Sequence, residues 1–315
     1  MAYNRTYYFD FDSYNGYRYR LEFFDQIAGA TYYDREGILG KNPVEMSYGS
    51  DGSGIYAPIK ASTLKIEFIV RDFIDQSYIK QLRTARTERD VYIHLYREWV
   101  NGTNDPQYGP LWTGYLLMDL SEDLDEGFPT IVNLKAVDGI ASLKYYDFVL
   151  PGTAQSPNHL YEGSETYRPT ASNAQASSRT FVDWISKALE YAGIATTTEG
   201  RIGTPKFDIC NEWFNGNMAN TTADPLMNTR CRPYQFYKQE EGADGVMKWK
   251  AMSCYDVIKH ICITWGMRFL QWRGRYIFVQ INSYRADETG TTINPTNIRR
   301  YSYTMAGVQS TTYNH

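Results

Sequence analysis

Apolar and polar residues alternate through most of the first 150 positions. In Tyr17-Arg18-Tyr19-Arg20-Leu21-Glu22-Phe23 the alternation is strict, which gives one strand an apolar face and a charged face. Tyr7 to Phe11 precedes it, and the Asn15-Gly16 dipeptide between them predicts a tight hairpin turn with positive φ. Ala61 to Val70 alternates again, and Val91 to Tyr96, Trp112 to Met118 and Thr130 to Val137 complete the strands. Met46 to Gly54 reads as a Gly/Ser loop, Tyr78 to Thr84 as a short helix or turn, and Asn101 to Pro110 as a polar hairpin tip. Short strands with Gly, Pro and Asn punctuation predict an antiparallel barrel or sandwich over residues 1–150.

Residues 151–178, rich in Pro, Gly, Ser, Thr and Ala, read as a linker. The period then changes. Thr180 with Asp183 forms an N-cap signature, Phe181, Trp184, Ile185, Ala188 and Leu189 share one helical face, and Gly193 is placed to end the helix. Ser253 with Asp256 repeats the design, with Val257, Ile258, Ile261, Cys262 and Trp265 on the apolar face and Gly266 at the end. The matching register suggests a related helix-to-strand unit. Met267 to Trp272 and Tyr276 to Ile281 predict a hairpin across Arg273-Gly274. The fold class is therefore α+β, mainly β: a barrel or sandwich (1–150), a linker (151–178), an α+β domain with two capped helices and a hairpin (179–285), and a polar, weakly patterned segment (286–315) without an evident closing element.

Composition changes this picture in one respect. The chain holds 28 Tyr, 14 Phe and 7 Trp at a mean hydropathy of −0.51. Such residues suit strands and also supply contact area at protein interfaces. Charges nearly cancel, 32 basic against 36 acidic, so no electrostatic footprint predicts specific nucleic-acid binding. No apolar run is long enough to cross a bilayer. No signal peptide is read at the N-terminus, and reduced, buried thiols are expected at Cys210, Cys231, Cys254 and Cys262, which fits synthesis in a cytoplasm.

The search for chemistry finds no nucleophile, base or metal-ligand set. His94, His159, His260 and His315 are scattered, and none has a second ligand at metal spacing. Asp256 and His260, four apart on a helix, predict a surface ion pair. Asp119, Glu122, Asp123, Asp125 and Glu126 lack the spacing of a calcium loop, and Gly49, Gly52 and Gly54 do not follow a strand into a helix as a phosphate loop requires. A non-enzymatic protein without cofactor or metal is expected.

Two motif groups carry a resemblance. Leu111 to Asp119 (LWTGYLLMD) with Val132 to Leu143 (VNLKAVDGIASL) is similar to the end of the first β-domain in tail-hub proteins of phages and prophages of Bacteroidetes. Trp213 with Met218, Asp224 to Leu226 with Thr229-Arg230, and Ser253 to Ile258 through Gly266 to Gln271–Tyr276 follow in the same order. The resemblance spans about residues 5–285. It implies small β-barrels with helical inserts arranged as a ring around a tail axis. It marks Trp112, Gly114, Asp138, Gly139, Trp213, Trp265 and Gly266 as fold or interface positions, with no catalytic residue among them. Hub chains of this kind are generally longer, with a second barrel after the Gln271 to Ile281 hairpin. One barrel per chain implies a sixfold ring, two imply a trimer.

The expected function is a virion structural protein of the tail hub or baseplate, assembled in the host cytoplasm. Its expected partners are copies of itself and neighbouring tail-tube, baseplate or tail-fibre proteins, with no membrane involved. The competing expectation is a receptor- or carbohydrate-binding adaptor of the tail, because exposed Tyr and Trp also suit sugar stacking.

Overall fold

The computed structural model describes residues 3–26, 34–50, 57–83, 90–100, 106–117, 127–148, 179–192, 206–211, 224–231, 233–241, 245, 247–281, 299–304 and 307–314. The first half holds β1 (Asn4–Asp12), β2 (Arg18–Asp25), β3 (Arg35–Glu36), β4 (Ile38–Ser50), β5 (Ile59–Val70), α1 (Phe73–Leu82), β6 (Val91–Val100), β7 (Pro106–Leu116) and β8 (Thr130–Val137). A 3-10 turn follows at Ile140–Tyr145. The second half holds β9 (Arg179–Thr180), α2 (Phe181–Tyr191), β10 (Lys206–Asn211), α3 (Pro225–Asn228), β11 (Arg230–Cys231), β12 (Tyr237–Glu241), β13 (Met247–Ala251), α4 (Cys254–Thr264), β14 (Met267–Trp272), β15 (Arg275–Gln280), β16 (Arg299–Thr304) and β17 (Gln309–Asn314). The protein is mainly β with a few helices, as the period changes predict.

The first half closes on itself. Antiparallel pairings run β1-β2-β6-β7-β8-β5-β4, and β3, one residue before β4, pairs with β1 in parallel. That last pairing, over Tyr7 and Tyr8, brings the two ends of the strand order together as a barrel. Gly37 joins β3 to β4, and a Cβ there would overlap the Phe9 ring. Arg35 secures the two-residue β3 by reaching α1, where it pairs with Asp72 at 2.5 Å and Asp75 at 3.3 Å. Asp72 is also the α1 N-cap, accepting from Ile74 and Asp75 N–H, and Arg35 holds its carboxyl down at about 2.

Inward positions are those the alternation predicts. Tyr7 and Phe9, Leu21 and Phe23, Leu64 to Val70 at every second residue, Ile93 and Leu95, and Val132 to Ala136 at every second residue form one core. α1 covers one end of the barrel with Tyr78, Ile79 and Leu82. On β2 the charged face points away, with Arg18 paired to Asp12 and Arg20 to Asp10.

The second half extends the same sheet. β14 joins β5 in parallel at Phe269↔Ile59, and the order continues β15-β10-β16-β17. α2 and α4 lie on one face of it, and Trp184, Leu189, Ile258, Ile261, Phe269, Tyr301 and Tyr303 share a second core. Ile140, Leu143 and Phe148, which precede the expected linker, also pack there. Both helix caps form as predicted: Thr180 and Asp183 make a reciprocal capping box, and Ser253 accepts from Asp256 N–H.

Several expectations are corrected. The Asn15-Gly16 turn is a longer loop, closed by Ser13 N–H donating to Tyr17 O, with Gly16 alone at positive φ (75°). Met46 to Ser50 is strand, because β5 supplies its ladder partners, including Ser47 Oγ opposite Thr63 Oγ1 at 2.7 Å. α1 begins at Phe73, five residues earlier than Tyr78, behind the cap Asp72. The polar tip at Asn101–Pro110 is shorter, since β7 begins at Pro106. The segment from Arg285 carries two strands, because β10 offers an edge on which Tyr301 and Tyr303 become buried. Asp256 accepts from Ser253 Oγ at 3.0 Å, while His260 stands exposed one turn on. The linker 151–178, Gly193 and the acidic cluster at 119–126 lie outside the described residues.

Candidate functional site: the clasp between barrel and helical half

Two polar residues stand where the strand pattern calls for apolar ones: Gln271 joins the halves directly, and Ser62 holds the Asp138 turn that Tyr276 of the second half reaches. Ser62 occupies the inward stripe of β5 ahead of Leu64, and Gln271 follows Met267 and Phe269 on the buried stripe of β14. Gln271 is fully enclosed and uses its whole amide. Its Nε2 donates to Thr113 O (2.8 Å) and Oγ1 (3.1 Å), and its Oε1 accepts from Thr113 N–H (2.9 Å). A side-chain amide thus mimics a strand partner for β7.

Ser62 begins a second chain of bonds. Trp112 Nε1–H donates to Ser62 Oγ (2.8 Å), and Ser62 Oγ and N–H both donate to Asp138 Oδ2 (2.6 and 2.7 Å). Asp138 Oδ1 accepts from Ile140 N–H (3.0 Å), which opens the 3-10 turn out of the barrel. Gly139, at φ 80°, makes that reversal possible. Tyr276 of β15 donates its hydroxyl to Asp138 O (2.8 Å). Backbone bonds complete the clasp, Phe269 N–H to Pro58 O (2.7 Å) and Gly274 N–H to Leu111 O (3.0 Å).

The β14–β15 hairpin that delivers these groups turns over Arg273-Gly274, both at positive φ (51° and 66°), as a two-residue type I′ turn requires. Gly114 lies under the Trp112 ring, and a Cβ there would overlap both the ring and the Val137 carbonyl oxygen.

The fold therefore brings together Trp112, Gly114, Asp138 and Gly139, with Gln271 and Tyr276 of the last motif. Trp265 and Gly266 lie elsewhere: Trp265 meets Phe181 edge-to-face in the second core, and Gly266, at φ 58°, starts β14. Trp213 lies outside the described residues. Sequence reasoning missed Ser62, Thr113 and the amide role of Gln271. A polar residue on an apolar stripe was the available signal for Ser62 and Gln271; Thr113 offered none.

Electrostatics mark the same places. Burial pushes Asp138 up to about 6 against the opposing pull of the Ser62 and Ile140 donors. Asp224, the α3 N-cap, is likewise raised to about 6 by burial, while Tyr303 OH, Leu226 N–H and Asn211 Nδ2 donate to it. Raised carboxylates are candidate acids or bases, yet each of these is surrounded by donors that position backbone. His94, under Phe24, Tyr92 and Tyr96, is pushed down to about 3 by burial. The four thiols are buried and unpaired by disulfides, and burial raises Cys210, Cys231 and Cys254 to about 12. They are poor nucleophiles.

Among the described residues no group of three or more His, Cys, Asp or Glu is placed to hold a metal ion, and no helix is long and apolar enough to cross a membrane. Comparisons with protein-family models, curated proteins and solved structures give no match for this chain.

Proposed function

We propose that this protein is a structural, non-enzymatic component of a phage tail hub or baseplate, which assembles as a symmetric ring of its own copies and connects to neighbouring tail parts. The observation that carries the reading is the meeting of the two motif groups. Gln271 of the second group bonds Thr113, which lies between Trp112 and Gly114 of the first. Tyr276 of the second bonds the backbone of Asp138, whose carboxylate Trp112 reaches through Ser62. Two neighbouring chains of bonds thus clasp the barrel to the helical half. Motif residues used to fix two bodies rigidly suit a part that transmits load and presents surfaces at set angles. The polar groups at these positions are consumed by one another, which leaves them to hold shape.

A ring made of one surface meeting a different surface closes by rotation. Electron microscopy of the purified chain, alone and mixed with the products of neighbouring genes, tests this. Rings of three or six copies are expected. A chain that stays monomeric at high concentration and joins no ring with those products would sink the proposal. Selective capture on a glycan array, without rings, would favour the receptor-binding reading.

A further inference from the structure

The outer wall of the barrel carries an apolar face. β14 joins β5 at its start, Ile59 and Lys60, and this face lies at its other end. Phe68 and Val70 of β5 point into the core, so Ile69 between them points out. The ladders set Ile38 of β4 and Ile131 of β8 directly beside it, which makes one row of isoleucines across three adjacent strands. The face continues past the strand ends. Phe128, which precedes β8, meets Phe73 at the start of α1 edge-to-face with ring centroids 5.0 Å apart, and Ile74 follows Phe73 in the same turn. Phe73 is 75% exposed, Ile131 54%, Ile38 48%, Ile74 46% and Phe128 36%. At roughly 200 Å² for a large apolar side chain, these leave about 500 Å² of apolar surface in water. Charged groups at the α1 border are spent within the chain, Arg35 on Asp72 (2.5 Å) and Arg71 on Asp75 (2.8 Å). At the opposite border stands Glu67, which accepts from Asn42 N–H.

We propose that this face docks the same face of a second copy of the chain. A stable interface takes about 800 Å² from each partner, and in homodimers about 65% of it is apolar, which is again about 500 Å². Permanent like-to-like interfaces are the more apolar class. The centre of this face also holds no charge that would select a charged partner. A twofold axis between the isoleucine row and the Phe73–Phe128 pair lays the row of each copy on the phenylalanines of the other. It keeps the two Glu67 carboxylates at opposite ends of the contact. A cyclic ring closes through two different surfaces, so this contact is additional to ring closure and stands or falls without it.

Cysteine labelling and sedimentation velocity of the full chain test it. All four native thiols are buried, so Ile131→Cys puts the one accessible thiol on the face. Ile263→Cys, at an exposed position of α4, is the control. Each variant is labelled with a fluorescent maleimide at protein concentrations from about 1 to about 200 µM. Ile131→Cys is expected to label about fivefold or more slowly at the upper end, the slowing that a dimer with a Kd of about 10 µM gives. Ile263→Cys is expected to label at one rate throughout. The parent is expected to pass from monomer to dimer over the same range, and Ile131→Lys to weaken that dimer about tenfold or more. The labelling needs no folded Ile131→Lys, so the test holds even if that variant fails to fold. A parent that stays monomeric at about 200 µM overturns the proposal, as does a folded Ile131→Lys that dimerises like the parent. So does an Ile131→Cys dimer that labels at the monomer's rate, since the contact then lies elsewhere. Slow labelling of Ile131→Cys at every concentration overturns it as well, because the face is then covered by its own chain.

Discussion

Gln271 and Thr113 show how single residues carry the junction. Replacing Gln271 by Leu keeps the volume and strands the Thr113 N–H and C=O in a dry site. A buried unpaired group costs about 1–3 kcal/mol, so Gln271→Leu is expected to lower stability by roughly 3 kcal/mol, read by urea unfolding. Thr113→Ala loses only the Oγ1 contact and is expected to cost about 1 kcal/mol or less. Equal losses for the two would refute the mimicry of a strand partner. Buried ionisable residues also set opposing pH dependences. Asp138 and Asp224, raised from about 4 to about 6, keep protons longer in the folded state, so their contribution is complete below pH 4 and is lost as pH rises through 6. His94, lowered from about 6.5 to about 3, binds fewer protons folded than unfolded, so its contribution strengthens as pH rises across the same window. Between pH 4.5 and 6.5 the Tm of His94→Phe is expected to fall relative to the parent, and that of Asp138→Asn to rise. Parallel profiles for all three proteins would show that these groups titrate normally.

Among the elements, the two capped helices are the most independent. Each has a side-chain oxygen on an otherwise unpaired N–H, Thr180 to Asp183 and Ser253 to Asp256, both at 3.1 Å. Thr180→Ala and Ser253→Ala are each expected to cost about 1 kcal/mol in thermal unfolding. Gly266→Ala is expected to cost a similar ~1 kcal/mol through its left-handed backbone alone, since a Cβ there meets no atom within 4 Å. Gly114→Ala differs in kind, because its Cβ collides with Trp112 and a backbone oxygen and nothing rigid can yield. A cap variant that melts like the parent would show that packing on the second core, and not the cap, fixes that helix end.

At the scale of the whole molecule, one sheet of thirteen strands serves two cores, with β5 and β14 as the shared seam. β16 completes the second core by burying Tyr301 and Tyr303 and by bringing Arg300 and Ser302 onto the buried Asp208 carboxylate. Ending the chain after Ile281 removes those partners and exposes the β10 edge. Hydrogen exchange is expected to show amide protection lost over Lys206–Asn211 and kept through β1–β8. Unchanged protection of β10 would mean that the second core closes without its last strands.

The local signals in this chain were strong where they rest on neighbouring residues. Alternation marked the inward faces of β1, β2, β5, β6 and β8. Ser/Thr with an acid three residues on marked both helix starts, and Arg273-Gly274 marked the hairpin turn, because these depend on backbone sterics and bonds within a few positions. Pairing partners were not legible. Whether Met46–Ser50 is loop or strand depends on β5, whether Arg299–Thr304 is tail or strand depends on β10, and the barrel closes through a two-residue β3 held by Arg35 on α1. The clasp is the clearest division. Residue order alone presented Trp112, Asp138, Gln271 and Tyr276 as separate motif members. Only the tertiary structure joined them, since a buried hydrogen bond has no sequence period and is specified solely by which chains of atoms are folded together away from water.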